Sequence, residues 1–425
     1  VIRVEAPRPE EIGRLAEVNG FAFSERPSLE EPLVKAWLDY LRPEWCLVAR
    51  EGEEIVGEAV ALPFEVTLPG PVVVPLAGVS FVGVLPSHRR RGVLRALMGE
   101  QLGRLRRSGV ALAGLTASEG GIYGRFGYGP ATFAATWRLE RHRVALRPDV
   151  PLEGRVELVV PDASRKALED LFDQARRRIV GATTTPPPEW LEVLDDSDRL
   201  PGGGRGLLAA VHLTDRPRAM PHDDAGPAGL GGRGEVDGYA LYRVDRTRGA
   251  GQWELEVREL VALSPSAEAG LWRFLLGVDL VDVVVAGRRP VEETLRWWLT
   301  DPRALGVARL SDGLWLRVLD VPRALEARRY PVDGRVSLTV VDSVLEEVGG
   351  TFELTVRDGR GEVRRRAPGG DALRCAVADL GSLLLGGVSG SALARSGRLT
   401  GPSEALRTCD RLFSWPGTPW LMRGF

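Results

Sequence analysis

The stretch Val82-Gly83-Val84-Leu85-Pro86-Ser87-His88-Arg89-Arg90-Arg91-Gly92-Val93-Leu94-Arg95 decides the fold. An apolar strand running from Gly78 feeds a basic, glycine-containing turn, and that turn opens a helix. From Gly92 to Arg107, Val93, Leu94, Leu97, Met98, Leu102 and Leu105 recur at three- and four-residue spacing. Arg95, Glu100, Arg104 and Arg107 fall opposite them, which predicts an amphipathic helix. Gly109 stops the helix, and Val110 to Leu115 reads as the next strand. Strands alternating with helices define an α/β or α+β domain. The turn offers unpaired backbone N–H groups, a positive helix end and three arginines, a combination suited to a phosphate.

Upstream, Ile2 to Val4 and an amphipathic stretch through Val18 precede strand-like runs at Trp45 to Ala49 and Ile55 to Leu62. A further strand pair surrounds Pro69-Gly70-Pro71, and this first domain ends near Arg147-Pro148. Downstream, the pattern of Val79 to Met98 recurs from Val257 to Leu276, with Gly92 falling on Gly270. Leu271, Trp272, Leu275 and Leu276 repeat the apolar positions, and a strand follows from Val281 to Ala286. Ala267, Glu268 and Ala269 stand where the first copy has Arg89, Arg90 and Arg91. The chain is therefore expected to hold two copies of one domain, of which the first binds an anion. Gly202 to Gly204 and Arg216 to Gly238 read as a long mobile loop inside the second copy.

Beyond Asp301 the texture changes. Gly313 to Val318 is a strand, Pro322 to Arg328 a helical turn, and Val336 to Val341 alternates. Thr351 to Val356 followed by Asp358-Gly359 is a hairpin signal, and Ser382 to Leu385 a short apolar helix. The expected domains are 1–150, 151–302 and 303–425.

Composition narrows the chemistry. The 425 residues carry a net charge of −2, against the basic excess of a dedicated nucleic-acid binder. No apolar run reaches the ~18 residues of a membrane span and no secretory leader is evident, so a cytoplasmic protein is expected. Three scattered cysteines, Cys46, Cys375 and Cys409, fit reduced thiols, and the four histidines form no ligand-like pair. Neither a metal site nor a Ser-His-Asp triad is expected. Lysine occurs only at Lys35 and Lys166, so the basic residues are nearly all arginine.

Arg89-Arg90-Arg91-Gly92-Val93-Leu94 resembles the pyrophosphate loop of the GNAT superfamily of N-acetyltransferases, although Leu94 replaces the usual small residue. Ser118-Glu119-Gly120-Gly121-Ile122-Tyr123-Gly124-Arg125-Phe126-Gly127-Tyr128-Gly129-Pro130 is more specific and closely resembles the Eis (enhanced intracellular survival) acetyltransferases. So do Gly238-Tyr239-Ala240-Leu241-Tyr242-Arg243-Val244-Asp245 and Asp312-Gly313-Leu314-Trp315-Leu316-Arg317. The resemblance implies tandem acetyltransferase domains, the second degenerate, followed by a sterol-carrier-protein-like α+β domain. It also implies acetyl-CoA as cosubstrate and a homohexamer.

Acetyl transfer from a thioester needs a neutral amine, a polarised carbonyl and a proton for the departing thiolate. Backbone N–H groups of Val82 and Val84, flanking Gly83, are placed to align the pantetheine arm. Arg89, Arg90, Arg91, Gly92, Val93, Leu94 and Arg95 would take the phosphates, with Ser118 and Glu119 completing the cofactor site. The resemblance makes Tyr123 the general acid; Tyr128 is read as packing. It makes the α-carboxylate of Phe425 the base. Phe23, Glu25 and Trp37 are the expected acceptor contacts, and carboxylates beside aromatics suit cationic amines. The resemblance implies aminoglycoside-like or lysine-containing acceptors, whether small-molecule amine or protein lysine. The other readings are a lipid-binding protein and an acetyl-CoA sensor without turnover.

Overall fold

A computed structural model describes residues 2–25, 29–194, 206–214, 234–245 and 253–425. Most of the loop expected between Gly202 and Gly238 lies outside the described residues, and its last residues instead begin the strand Val236–Asp245. The chain divides into two compact units. One holds Val1–Phe133, Val180–Trp190 and Asp312–Phe425, the other Ala134–Ile179 and Leu191–Ser311.

In the first unit, Ile2–Glu5, Cys46–Glu51, Glu54–Leu68, Val72–Val84 and Leu112–Thr116 form successive strands of one sheet. Leu314–Val318 and Gly129–Pro130 extend it in that order. The helix Val93–Arg107 buries Val93, Leu97, Met98 and Leu102, as its spacing predicts. The second unit repeats this order. Arg155–Val159, Leu208–Leu213, Val236–Asp245, Glu254–Ala262 and Val283–Arg289 are followed in the sheet by Phe133–Glu140 and Gly306–Asp312. In both sheets the strand before the long helix pairs in parallel with the strand after it, Ala77 with Ala113 and Glu254 with Val283. The duplication is thus a duplication of topology.

Two expectations change. The contiguous boundaries 1–150, 151–302 and 303–425 are not those of the sheets, because each sheet takes its sixth strand from distant sequence. Leu314–Val318 was expected in the third domain, yet it pairs antiparallel with Leu112–Thr116, Leu316 opposite Gly114. A linear reading presumes that neighbours in sequence pair in space, a tendency this exchange overrides. The alignment of Gly92 with Gly270 also shifts. Gly92 caps its helix from outside, whereas Gly270 lies within Pro265–Leu276, and Ala267 and Ala269 are buried helix residues. Ser264 and Pro265 start that helix early.

The remaining sheet belongs to the first unit and runs Arg360–Arg366, Gly350–Arg357, Gly334–Val341, Leu373–Ala376, Leu399–Thr400. Asp358 and Gly359 both adopt positive φ, the two-residue hairpin turn read from the sequence. Gly129 explains part of the Gly-Tyr-Gly motif. A Cβ there would stand 1.8 Å from the carbonyl oxygen of Ala378, so only glycine lets this strand approach the helix Val377–Leu383.

Candidate active site

The strand Val72–Val84 is paired with Leu112–Thr116 only at Ala77 and Gly78. From Val79 onward it diverges, so its edge is open on that side. Its other edge shifts register between Glu58 and Val60, leaving Phe81 and Val82 opposite Ala59 alone. Such a bulge bends the strand and re-aims its backbone, and Phe81 carries the strain with φ at +47°. Val82, Gly83 and Val84 follow at the splayed end, Gly83 opposite Glu58 and Val84 opposite Gly57.

The turn after the strand delivers the helix Val93–Arg107. Its cap is Gly92 at φ +86°, with no side-chain hydrogen bond to the first turn. Space for a Cβ at Gly92 is empty to 4 Å. This helix therefore presents backbone N–H groups to an incoming anion. The second unit contrasts at the same topological position. There the Ser264 hydroxyl accepts from the Ala267 N–H, at 3.1 Å, and Pro265 occupies the first turn. Its end is already capped by its own side chain.

The arginines of the turn take separate places. Arg89 donates to the Ala22 carbonyl at 2.7 Å, and Arg91 pairs with Glu51 at 2.6 Å. Among the described residues neither Arg90 nor Arg95 is ion-paired, and both are exposed. Val93 is buried and Leu94 half-buried, so what those two expose at the helix start is backbone, not side chain. Ser118 and Glu119 are exposed in the turn leading into Gly120–Tyr123.

Tyr123 ends that short helix, 8% exposed. Burial, and then the Glu119 carboxylate, hold its phenol above the usual tyrosine range, so it stays protonated and able to donate at neutral pH. Tyr128 is completely buried with its ring edge-on to Tyr123 at 6.1 Å, and burial drives its phenol up further.

Phe425 is held by two contacts. Its ring stacks on Phe64 at 4.3 Å. Phe64 lies over Gly78, where a Cβ would be 2.3 Å from the ring. The Thr116 hydroxyl donates to the backbone oxygen of Phe425. The preceding residues are tucked in as their apolar character predicts: Leu421 and Met422 are buried, the Trp420 N–H donates to Val180, and Arg423 stacks over Trp190 at 4.0 Å. Thr116 thus holds Phe425 at the end of the strand Leu112–Thr116, and Tyr123 follows further along the chain at the end of the helix Gly120–Tyr123.

A cavity of about 140 Å³ opens between the helices Ile12–Ala22 and Pro32–Tyr40 and the sheet. Glu25 and Trp37 line it as expected, but Phe23 does not and is 50% exposed. Phe23 follows the helix end at Ala22, beyond the apolar face that turns inward. Glu31, from the same acidic stretch of sequence, lines it too, together with Asn19, Glu58 and Phe81. Phe81 meets Trp37 edge to face at 5.0 Å. Glu58 was legible only as a lone carboxylate inside the apolar run Ile55 to Val60.

Comparison with known proteins agrees with this fold. Residues 3–131 and 209–318 match acetyltransferase (GNAT) domain models, and residues 321–422 match a sterol carrier protein domain. The chain is 37% identical over 394 residues to N-acetyltransferase Eis of Mycobacterium tuberculosis, covering 89% of each. It belongs to the Eis family of N-acetyltransferases. An uncharacterized N-acetyltransferase of Streptomyces avermitilis is 36% identical over 88% of each chain. The crystal structure of Eis1 from Mycobacterium abscessus superposes with a TM-score of 0.84 at 32% identity, covering 100% of both chains. A GCN5-related N-acetyltransferase of Anabaena variabilis, at 22% identity and TM-score 0.81 over 100% of both chains, shares the fold. As an Eis-family member the chain is an enzyme of two acetyltransferase domains and a sterol-carrier-type domain, and GNAT enzymes use acetyl-CoA. Among the described residues no helix is long and apolar enough to cross a membrane.

Proposed function

We propose that this enzyme transfers the acetyl group of acetyl-CoA directly to an amine of a cationic acceptor, aminoglycoside-like or lysine-containing, at the splay beside Val82–Val84. The pyrophosphate sits at the Gly92 end of the helix, held by backbone N–H groups and by Arg90 and Arg95, with Arg89 and Arg91 at its flank. Val82 and Val84 align the thioester through their backbone. The neutral amine attacks the thioester carbon, a C–N bond forms and the C–S bond breaks. Tyr123 gives its phenolic proton to the sulfur, and a free α-carboxylate on Phe425 takes the proton from the amine. A phenol is a sensible donor to a thiolate whose conjugate acid lies near pH 8.5.

What supports this reading most is the stacking of Phe425 on Phe64, which itself lies over Gly78, the last paired residue before the strand Val72–Val84 leaves Leu112–Thr116. Thiol release from acetyl-CoA with a panel of amines tests it. Release that depends on the amine is expected; acetyl-CoA binding without release under any amine would replace it with the sensor reading. Appending a few residues after Phe425 should lower kcat at least tenfold while leaving acetyl-CoA affinity unchanged. Full activity in that chain would remove the carboxylate from the mechanism.

A further inference from the structure

The strand Glu54–Leu68 alternates across its sheet, and its two faces meet different neighbours. Above Gly57 stand Val93 and Leu97, 2.9 and 3.1 Å from where a Cβ would be. Glu58 therefore faces the other way, under the helices Ile12–Ala22 and Pro32–Tyr40, where it lines the cavity.

A carboxyl group there is out of keeping with packing. Glu58 is 1% exposed, and among the described residues neither of its oxygens is in hydrogen-bond geometry; its nearest polar neighbour is the Asn19 amide, which is itself left without a partner. No Lys, Arg or His is among the described residues lining the cavity. An apolar side chain of the same length would fill that volume without the desolvation cost. Unsatisfied polar groups of this kind are kept where a ligand satisfies them. Burial raises the carboxyl well above the ordinary carboxylate range, with the Asn19 amide beside it opposing only in part. The rest of the cavity matches a cation: exposed Glu25 and Glu31, and the Trp37–Phe81 pair as an aromatic wall.

Position fixes which cation. Glu58 is the register partner of Gly83, and its Oε1 lies 3.6 Å from where a Gly83 Cβ would be. An ion bound to it would sit beside the strand segment assigned to the thioester. We infer that Glu58 is a specificity-determining residue that ion-pairs a second ammonium of the acceptor while a nearby amine of the same molecule is acetylated. The chemical class selected is a compact di- or polyamine. This rests on acetyl transfer occurring beside Val82–Val84.

The test uses the full chain, 1,4-diaminobutane and its monoamine counterpart 1-aminobutane, and the variants Glu58→Gln and Glu58→Met. Losing a charge-assisted ion pair should raise KM for the diamine by about 10–100-fold. KM for the monoamine and for acetyl-CoA, and kcat for both amines, should be unchanged. Both variants should melt no lower than the parent, which separates a ligand-binding role from a packing role. Equal KM shifts for the two amines, or a fall in kcat at constant KM, would overturn the inference; the latter would make Glu58 a proton acceptor instead. Calorimetric binding of the diamine, without acetyl-CoA, reads the same contact independently of turnover. A parent protein that binds the diamine no tighter than Glu58→Gln does would overturn the inference even where acetyl transfer is intact. Absence of turnover with tighter parent binding would uphold the Glu58–ammonium contact while overturning its link to acetyl transfer.

Discussion

Tyr123 and Tyr128 touch edge to face, and both phenols are held above their ordinary range by burial. Surroundings distinguish them. Tyr128 is wholly enclosed and its hydroxyl has no hydrogen-bond partner, whereas Tyr123 retains exposure at the end of a short helix. Glu58 shows the opposite lesson for a carboxyl. Its folded-state value is raised, so the folded protein holds a proton that the unfolded chain releases. That contribution to stability is full below the unfolded value near pH 4.3 and is lost as pH rises through the folded value. Glu25 and Glu31, lining the same cavity, add negative charge, while Asn19 opposes the shift. Glu58→Gln should therefore raise Tm relative to the parent at pH 8, and the gain should shrink toward pH 4. A constant difference across that range would contradict the sign. Tyr123, Glu25 and Trp37 were legible in the sequence because motif or composition marked them. Glu58 was not, since a strand buried on both faces hides which face a residue takes.

At the scale of elements, the two long helices of the duplicated domains differ most at their first turns. One begins at an uncapped glycine, the other at a serine that satisfies its own backbone. Placing a carboxylate at the first cap should fill the anion site internally. Asp tolerates positive φ better than most residues, so Gly92→Asp should fold and bind CoA at least tenfold more weakly. Ser264→Ala should cost roughly 0.5–2 kcal/mol of stability and leave CoA affinity unchanged. Calorimetry and thermal melts of both variants check this; weakened CoA binding in Ser264→Ala would mean the second domain also holds the nucleotide. The strand–turn–helix units were legible from apolar spacing alone. The early start of the second helix is hidden in the apolar spacing, which aligns Gly92 with Gly270, and is set instead by Ser264 and Pro265.

Across the whole chain, fold class and duplication were legible, but the path of the chain was not. Leu314–Val318 reads clearly as a strand, whereas Phe133–Glu140 is not singled out, and only long-range pairing reveals which sheets they join. No local pattern encodes that choice. The same holds for the tail, whose apolar residues signalled burial but not their anchors at Thr116, Val180 and Phe64. In the proposed mechanism, residues far apart in the chain form one acid–base centre at the splayed strand pair of the first unit. Its most direct test is thiol release by Tyr123→Phe under saturating acetyl-CoA and amine. A fall in kcat of about 10²–10⁴-fold with unchanged CoA affinity is expected. A variant that keeps the parent kcat would contradict it.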